Sequence, residues 1–254
     1  MAALDVASVT KRFGGLTAVN AASFSIDAKS IHGLIGPNGS GKSTLFNLIT
    51  GIFRPDAGRI AIDGFDVTGA PSHQITRRGV ARTFQSIELF YDMSVLENCM
   101  VGTYPVTRAG SIAAMLRPRW VREEEARIRE MAMQSLVFVG LDGCAGDLAR
   151  NISYGHQRLL EIARALASEP RLILLDEPAA GMNQAETRQL MEYIERIGAS
   201  GITVVLVEHN MKMVMNLCRR LTVLNHGEVI AEGTPAEIQS NQAVIAAYLG
   251  RPRA

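Results

Sequence analysis

Gly36-Pro37-Asn38-Gly39-Ser40-Gly41-Lys42-Ser43 is the stretch on which the reading of this chain turns. It fits the pattern GxxxxGK[ST]. Glycines let the backbone curl until successive amides point inward, which makes a cage for phosphate oxygens. The apolar run Ile31–Ile35 before it is predicted as a short buried strand. Residues 43–50 after it are predicted as a helix that Gly51 stops. The helix beginning near Lys42 adds the positive end of its dipole to the cage. Lys42 supplies a point charge for the β- and γ-phosphates, and the hydroxyl of Ser43 is a ligand for Mg²⁺. The candidate nucleotide contacts are therefore Gly36, Pro37, Asn38, Gly39, Ser40, Gly41, Lys42, Ser43 and Thr44. A glycine-rich turn of no function shows the same letters but does not require a strand before it and a helix after it.

Phosphoryl transfer needs a metal and a positioned water, so acids are sought next. Leu172-Ile173-Leu174-Leu175-Asp176-Glu177 is an apolar strand that ends in two carboxylates. Neighbouring side chains on a strand point to opposite faces, so the two acids can take different tasks. Asp176 is expected to orient the Mg²⁺ shell and Glu177 to polarise the attacking water. Alone the pair is as well read as an acidic turn; beside a phosphate loop it is read as catalytic. His209 follows another apolar run, 202–207. From position alone a locally bonded loop histidine is the favoured reading, with a γ-phosphate contact as the other.

The 254 residues suit one large domain or two closely joined subdomains. Apolar residues make up 47% and charged residues 20%, which excludes a disordered chain. A formal net charge of +1 gives no reason to expect nucleic acid as a partner. Cys99, Cys144 and Cys218 are odd in number and far apart, without CxxC, which argues against a disulfide framework or a zinc site. The N-terminus lacks the apolar core of a signal peptide, and no run approaches the ~18 apolar residues of a membrane span. The chain is expected to be soluble, with any membrane role that of a peripheral subunit.

The remaining periodicities give the class. Leu4, Val6 and Val9, then Ala22, Phe24 and Ile26 beyond Gly14-Gly15, read as antiparallel strands. Residues 59–62 and 66–67 around Asp63-Gly64 read as a hairpin. Met93, Val95, Leu96, Met100, Ile128, Met131, Leu136 and Val139 recur at helical spacing, around an irregular or flexible insertion at 104–120. Helices are expected at 157–167 and 185–197, and buried strands at 172–175 and 202–207. Apolar strands alternating with helices imply a parallel sheet covered on both faces. The class is α/β: a P-loop NTPase core with a mainly parallel sheet, an antiparallel β subdomain and an inserted α-helical subdomain. The expected division is 1–88 for the core with its β subdomain, 89–156 for the helical insertion, and 157–254 for the rest of the core and a C-terminal helix. Ile87, Leu89, Phe90 and Tyr91 read equally as a docking surface or as ordinary core. Arg108, Arg117, Arg119 and Arg122 with Trp120 read as a solvated surface, with lipid or protein contact as the alternative. Met211, Met213 and Met215 read as adaptable core filling.

Ile152-Ser153-Tyr154-Gly155-His156-Gln157-Arg158 resembles the LSGGQ signature of the ABC transporter ATPases, in its place before the acidic strand. Gln85, in Arg82-Thr83-Phe84-Gln85, is similar to that family's Q-loop. His209 resembles its switch histidine, which reverses the reading from position alone, and Phe13 resembles the aromatic that stacks on adenine. The resemblance implies that Ser153 and Gly155 hold the γ-phosphate from across a head-to-tail dimer. It implies that Gln85 reaches the Mg²⁺ and links that site to the helical subdomain. Three departures stand out: Tyr154 for the first signature glycine, His156 for the signature glutamine, and Asn183 for the usual D-loop aspartate. RFGGLTAVN, LLDEPAAGMN, LVEHNMKMVM and GEVIAEGTPAEI further resemble the ATPase subunits of branched-chain amino acid importers; importers of urea and other amides share much of this pattern.

The resemblance implies ATP and Mg²⁺ as cofactors and a second ATPase subunit, identical or similar. It also implies two integral membrane permeases, a periplasmic substrate-binding protein acting indirectly, and a place on the cytoplasmic face of the inner membrane. A soluble ABC ATPase of DNA repair or translation would carry two cassettes or a long coiled coil, and neither is present. A P-loop kinase or GTPase would lack the signature.

Overall fold

The computed structural model describes residues 2–107 and 118–249. Arg108, Arg117 and most of the expected insertion lie outside the described residues. The chain divides into two compact units. The first takes residues up to Arg82, Arg171–Ala179, and Ile194 onward; the second takes Thr83–Pro170 and Ala180–Tyr193. The segment 89–156 falls inside the second unit, which also includes 83–88, 157–170 and 180–193. Among the described residues no helix is long and apolar enough to cross a membrane.

The first unit holds two sheets. β1 (Ala2–Phe13) and β2 (Leu16–Asp27) pair antiparallel through the Gly14-Gly15 turn, with Phe13 opposite Leu16. Buried Leu4 and Val6 alternate as a strand requires, and the register shifts between Val6 and Val9, where Ser8 has φ 50°. That bulge resets the parity, which is why Val9 rather than Ser8 points inward. β4 (Ala57–Ile62) and β5 (Phe65–Asp66) close the hairpin expected around Asp63-Gly64. Both turn residues have positive φ, 49° and 79°, as a primed turn demands. The order in this sheet is β2-β1-β4-β5.

The larger sheet runs β10-β9-β3-β8-β7-β6. It is built from β3 (Ile31–Ile35), β6 (Val80–Arg82), β7 (Leu172–Asp176), β8 (Thr203–Val207), β9 (Arg220–Asn225) and β10 (Glu228–Gly233). Strands β9, β3, β8, β7 and β6 are parallel, and only β10 joins antiparallel. β7 and β8 are buried at every position, as expected of strands covered on both faces. α1 (Lys42–Ile49) buries Leu45, Phe46 and Ile49 in one core with Leu4, Phe24 and Ile26 of the small sheet and Leu174 and Val205 of the large one. Each such side chain contributes roughly 2 kcal/mol of burial. This core fixes the helix that follows the phosphate loop. α2 (Ser72–Arg77) leads into β6.

In the second unit α3 (Val95–Val101), α4 (Arg119–Val139) and α5 (Tyr154–Leu166) pack pairwise. Ser94 and Glu97 form a reciprocal capping box at the start of α3, and Gly140 ends α4 with φ 74°. Val95, Cys99, Ala132, Leu136 and Leu160 form the buried seam. α5 begins three residues earlier than the apolar spacing predicts. The reason is that Ser153 caps it, its hydroxyl accepting from His156 N at 3.3 Å. Leu89 is buried and belongs to the core, which corrects its place in the docking reading, whereas Phe90 and Tyr91 are 51% and 43% exposed. α6 (Gln184–Ala199) buries Leu190, Ile194 and Ile197. α7 (Met211–Leu217) buries Met213 and half-buries Met211 and Met215, in line with core filling. α8 (Pro235–Ser240) and α9 (Gln242–Leu249) follow.

Candidate functional site

In an open parallel sheet, ligands bind beyond the carboxyl ends of the strands. Four adjacent strands of the first unit, in the order β3-β8-β7-β6, deliver their last residues to that edge. After β3 comes the phosphate loop. Gly36 has φ 153°, and a Cβ there would lie 2.1 Å from Leu224 O, so only glycine fits. Gly41, with φ 105°, occupies the N-cap of α1. The buried Lys42 donates from Nζ to Gly36 O at 2.8 Å and Pro37 O at 2.9 Å, which holds the loop closed upon itself. Burial lowers its pKa, while the charges of Glu177 and Asp176 act the other way. Ser40 is buried, and Ser43 is exposed at the first turn of the helix.

The two acids at the end of β7 part company, each toward a different neighbouring strand. Asp176 accepts from Arg82 of β6, Nη2 to Oδ2 at 2.9 Å. The two side chains are only 10% and 4% exposed. Burial pushes the Asp176 carboxyl up, and the hydrogen bond and charge of Arg82 oppose that. Arg82 also donates to Asn47 Oδ1 at 2.6 Å and Thr50 Oγ1 at 3.3 Å, both in or just beyond α1. Glu177 turns the other way. Its φ is 49°, its N–H donates to Val207 O at 2.8 Å, and its Oε1 lies 2.7 Å from His209 Nε2 beyond β8. The separation expected from strand alternation is thus achieved by a left-handed residue at the strand end. Glu208, beside His209, is buried and accepts from Ala179 N at 2.8 Å, His209 N at 3.1 Å and Asn210 N at 3.3 Å. It fixes the loop that carries the histidine to the loop that follows the glutamate.

Phe13 ends β1, 42% exposed, with its ring edge-on to Phe53 at 5.2 Å between centroids. Ser43 and Asp176 offer a hydroxyl and a carboxylate oxygen. These hard donors suit Mg²⁺, which takes few protein ligands and fills its octahedron with phosphate oxygens and water.

Gln85, Ser153 and Gly155 belong to the second unit. Gln85 is exposed three residues beyond β6. Gly155 is buried against Glu186, and a Cβ there would meet Glu186 Oε1 at 2.6 Å. Asn183 caps the start of α6, its Oδ1 accepting from Ala185 N at 2.8 Å and Glu186 N at 3.0 Å. Glu186 returns a bond to Asn183 N at 2.8 Å, so the amide fills the capping role that an aspartate oxygen would.

A family model described as ABC transporter matches residues 19–180. The chain belongs to the ABC transporter family. A second family model, described as branched-chain amino acid ATP-binding cassette transporter, matches residues 228–254. The ABC cassette is 42% identical over 248 residues to the high-affinity branched-chain amino acid transport ATP-binding protein BraF of Pseudomonas aeruginosa, covering 97% of each chain. Over the same span it is 41% identical to LivG, a high-affinity branched-chain amino acid transport ATP-binding protein of Escherichia coli. Among solved structures it is similar to a nucleotide-free ATP-binding cassette from an ABC transporter, with a TM-score of 0.86 and 32% identity. That likeness covers 99% of this chain and 100% of the other. The fold expected from the motifs is the fold of these ABC cassettes, and the chain is an ATP-binding ATPase of that family.

Arg82, Glu208, Arg158 and Tyr154 were not singled out as site residues from sequence. For Arg82 the signal was present: a charge closing a short apolar strand just before the Q-loop has to meet a buried partner.

Proposed function

We propose that this chain is the ATP-hydrolysing subunit of an importer of branched-chain amino acids. The observation that carries the hydrolytic half is the 2.7 Å contact between Glu177 and His209, next to the phosphate loop. Relatives named as branched-chain amino acid transport ATP-binding proteins, 41–42% identical over 97% of the chain, support the transport half.

In this reading, Phe13 stacks on the adenine and residues 36–44 cradle the triphosphate, with Lys42 turned from its own loop carbonyls to the β- and γ-oxygens. Glu177 takes a proton from water as the water oxygen bonds to the γ-phosphorus and the bond to the β-γ bridging oxygen breaks. ADP and phosphate leave. His209 holds Glu177 in place and supplies a hydrogen bond to the γ-phosphate. Mg²⁺, held by Ser43 and Asp176, would neutralise phosphate charge as it develops, and Gln85 is the further ligand that the family resemblance implies. Ser153, at the head of α5, and Gly155 face the nucleotide of a second ATPase subunit. ATP glues the pair, and hydrolysis releases it to move two permeases, fed by a periplasmic binding protein. The chain works as a peripheral subunit on the cytoplasmic face of the inner membrane.

The decisive experiment is Glu177→Gln in the complex with its permeases. Nucleotide binding is retained, and phosphate release falls about 100-fold or more, as the loss of a general base requires. Undiminished turnover would refute the base assignment. Stimulation of the wild-type complex by binding protein loaded with leucine, isoleucine or valine tests the substrate; stimulation by urea or amides instead would refute it.

A further inference from the structure

Arg158 is 4% exposed and Glu161 2%, and the two pair at 3.2 Å on α5, in a run where Leu159, Leu160, Ile162 and Ala163 are also buried. A buried ion pair is weak evidence for stability, since a well-packed apolar pair often does as well. What the charges hold is more telling. Arg158 donates from Nη1 to Phe84 O at 3.3 Å and from Nη2 to Gln85 O at 2.7 Å. Glu161 accepts from Glu88 N at 3.1 Å, and Arg164 donates to Glu88 O at 2.5 Å. Four backbone groups of residues 84–88 are thus fastened by side chains of the helix that opens with the signature.

The same guanidinium reaches a third loop. Arg158 Nη2 donates to the hydroxyl of Tyr154 at 3.1 Å, over whose ring it lies at 5.5 Å. Tyr154 in turn donates to Ala180 O at 3.1 Å and packs on Gly181. A glycine at 154 could make neither contact. The departure from the signature pattern therefore has a structural use. It carries a bond to the loop that ends at Asn183, whose cap runs through Glu186 to the side of Gly155.

We infer that Tyr154, Arg158 and Glu161 are positioning residues that bind the Gln85 loop, the signature at 153–155 and the 180–183 loop into one responding body. The inference rests on the proposed reading, in which Gln85 serves the Mg²⁺ and Ser153 the nucleotide of a second subunit. Arginine is required because its planar fork serves Phe84 O, Gln85 O, Glu161 and Tyr154 together, which a lysine ammonium cannot do.

The test uses the complete transporter in proteoliposomes with Tyr154→Phe, Arg158→Lys and the double variant. The readouts are kcat, KM for ATP, Tm, and amide hydrogen exchange of 84–88 and 180–183 with and without a non-hydrolysable ATP analogue. In the wild type the analogue slows exchange in both segments together. Tyr154→Phe removes the bond to Ala180 O and the one from Arg158, and is expected to uncouple the 180–183 segment and lower kcat about tenfold. KM stays unchanged and Tm moves by less than about 2 °C. The double variant loses less than the sum of the two single losses, because the Arg158–Tyr154 contact is common to both. Wild-type kcat and exchange in Tyr154→Phe would overturn the inference. So would a fall in kcat matched by a fall in Tm, which marks a merely structural role. A wild-type complex that hydrolyses no ATP would overturn the functional reading along with it.

Discussion

Arg82→Met isolates the most deeply buried charge pair of the first unit. The guanidinium and the Asp176 carboxylate meet at 2.9 Å, and the side chains are 10% and 4% exposed. Methionine fills much of the volume but leaves the carboxylate without its cation. Removing one partner of a buried pair costs about 3–5 kcal/mol, mostly the desolvation of the orphaned charge. The double variant Arg82→Met/Asp176→Asn removes that orphan and is expected to recover about 2–3 kcal/mol of the loss. Urea unfolding of the purified chain at neutral pH measures both. The pH dependence gives a further check. Burial already raises Asp176, and Arg82 opposes the rise, so the single variant carries a carboxyl raised further. A carboxyl raised above its unfolded value binds its proton in the folded state first. Stability relative to wild type therefore grows as pH falls from neutral, through the folded pKa, toward the unfolded one. A loss below about 1 kcal/mol in Arg82→Met, or no recovery in the double variant, would refute the reasoning.

Two further outcomes follow from buried groups. His32, bonded to Thr222 Oγ1 at 2.8 Å, is held neutral by burial, its pKa lowered to about 4. Its unfolded form takes a proton from about pH 6.5 downward while the folded form does not. Stability is complete above that pH and falls by about 3 kcal/mol between it and pH 4; His32→Gln should flatten this part of the urea-midpoint profile. Burial pushes the thiols of Cys99 and Cys218 up to about 12, so at pH 8 a maleimide should label half-buried Cys144 and spare both others until the chain is unfolded. Rapid labelling of Cys218 in the native protein would contradict its packing.

What could be read from sequence, and what could not, divides along local and distant causes. The loop between β3 and α1 was legible because its glycines answer to local sterics, and the Asp63-Gly64 hairpin for the same reason. The β7 strand announced itself by an unbroken apolar run. The start of α5 was missed because a cap, Ser153, and not an apolar residue begins it. The partner of Asp176 was missed because Arg82 lies 94 positions away, and nothing in a strand's periodicity names the residue across it. Arg158 and Glu161 left a trace in the sequence: opposite charges three apart inside an otherwise apolar helical run mark a buried pair. Leu89 went to the core while Phe90 and Tyr91 stayed outside, because three apolar residues in a row carry no period that separates inside from outside.

Glu177 holds its backbone at φ 49°, in a region that a side chain with a Cβ enters at a cost of about 1 kcal/mol. Glycine or asparagine would relax that bend at once. Under the proposed reading the side chain strained here is the base, so a laboratory screen that rewards only survival on heating would reward losing it.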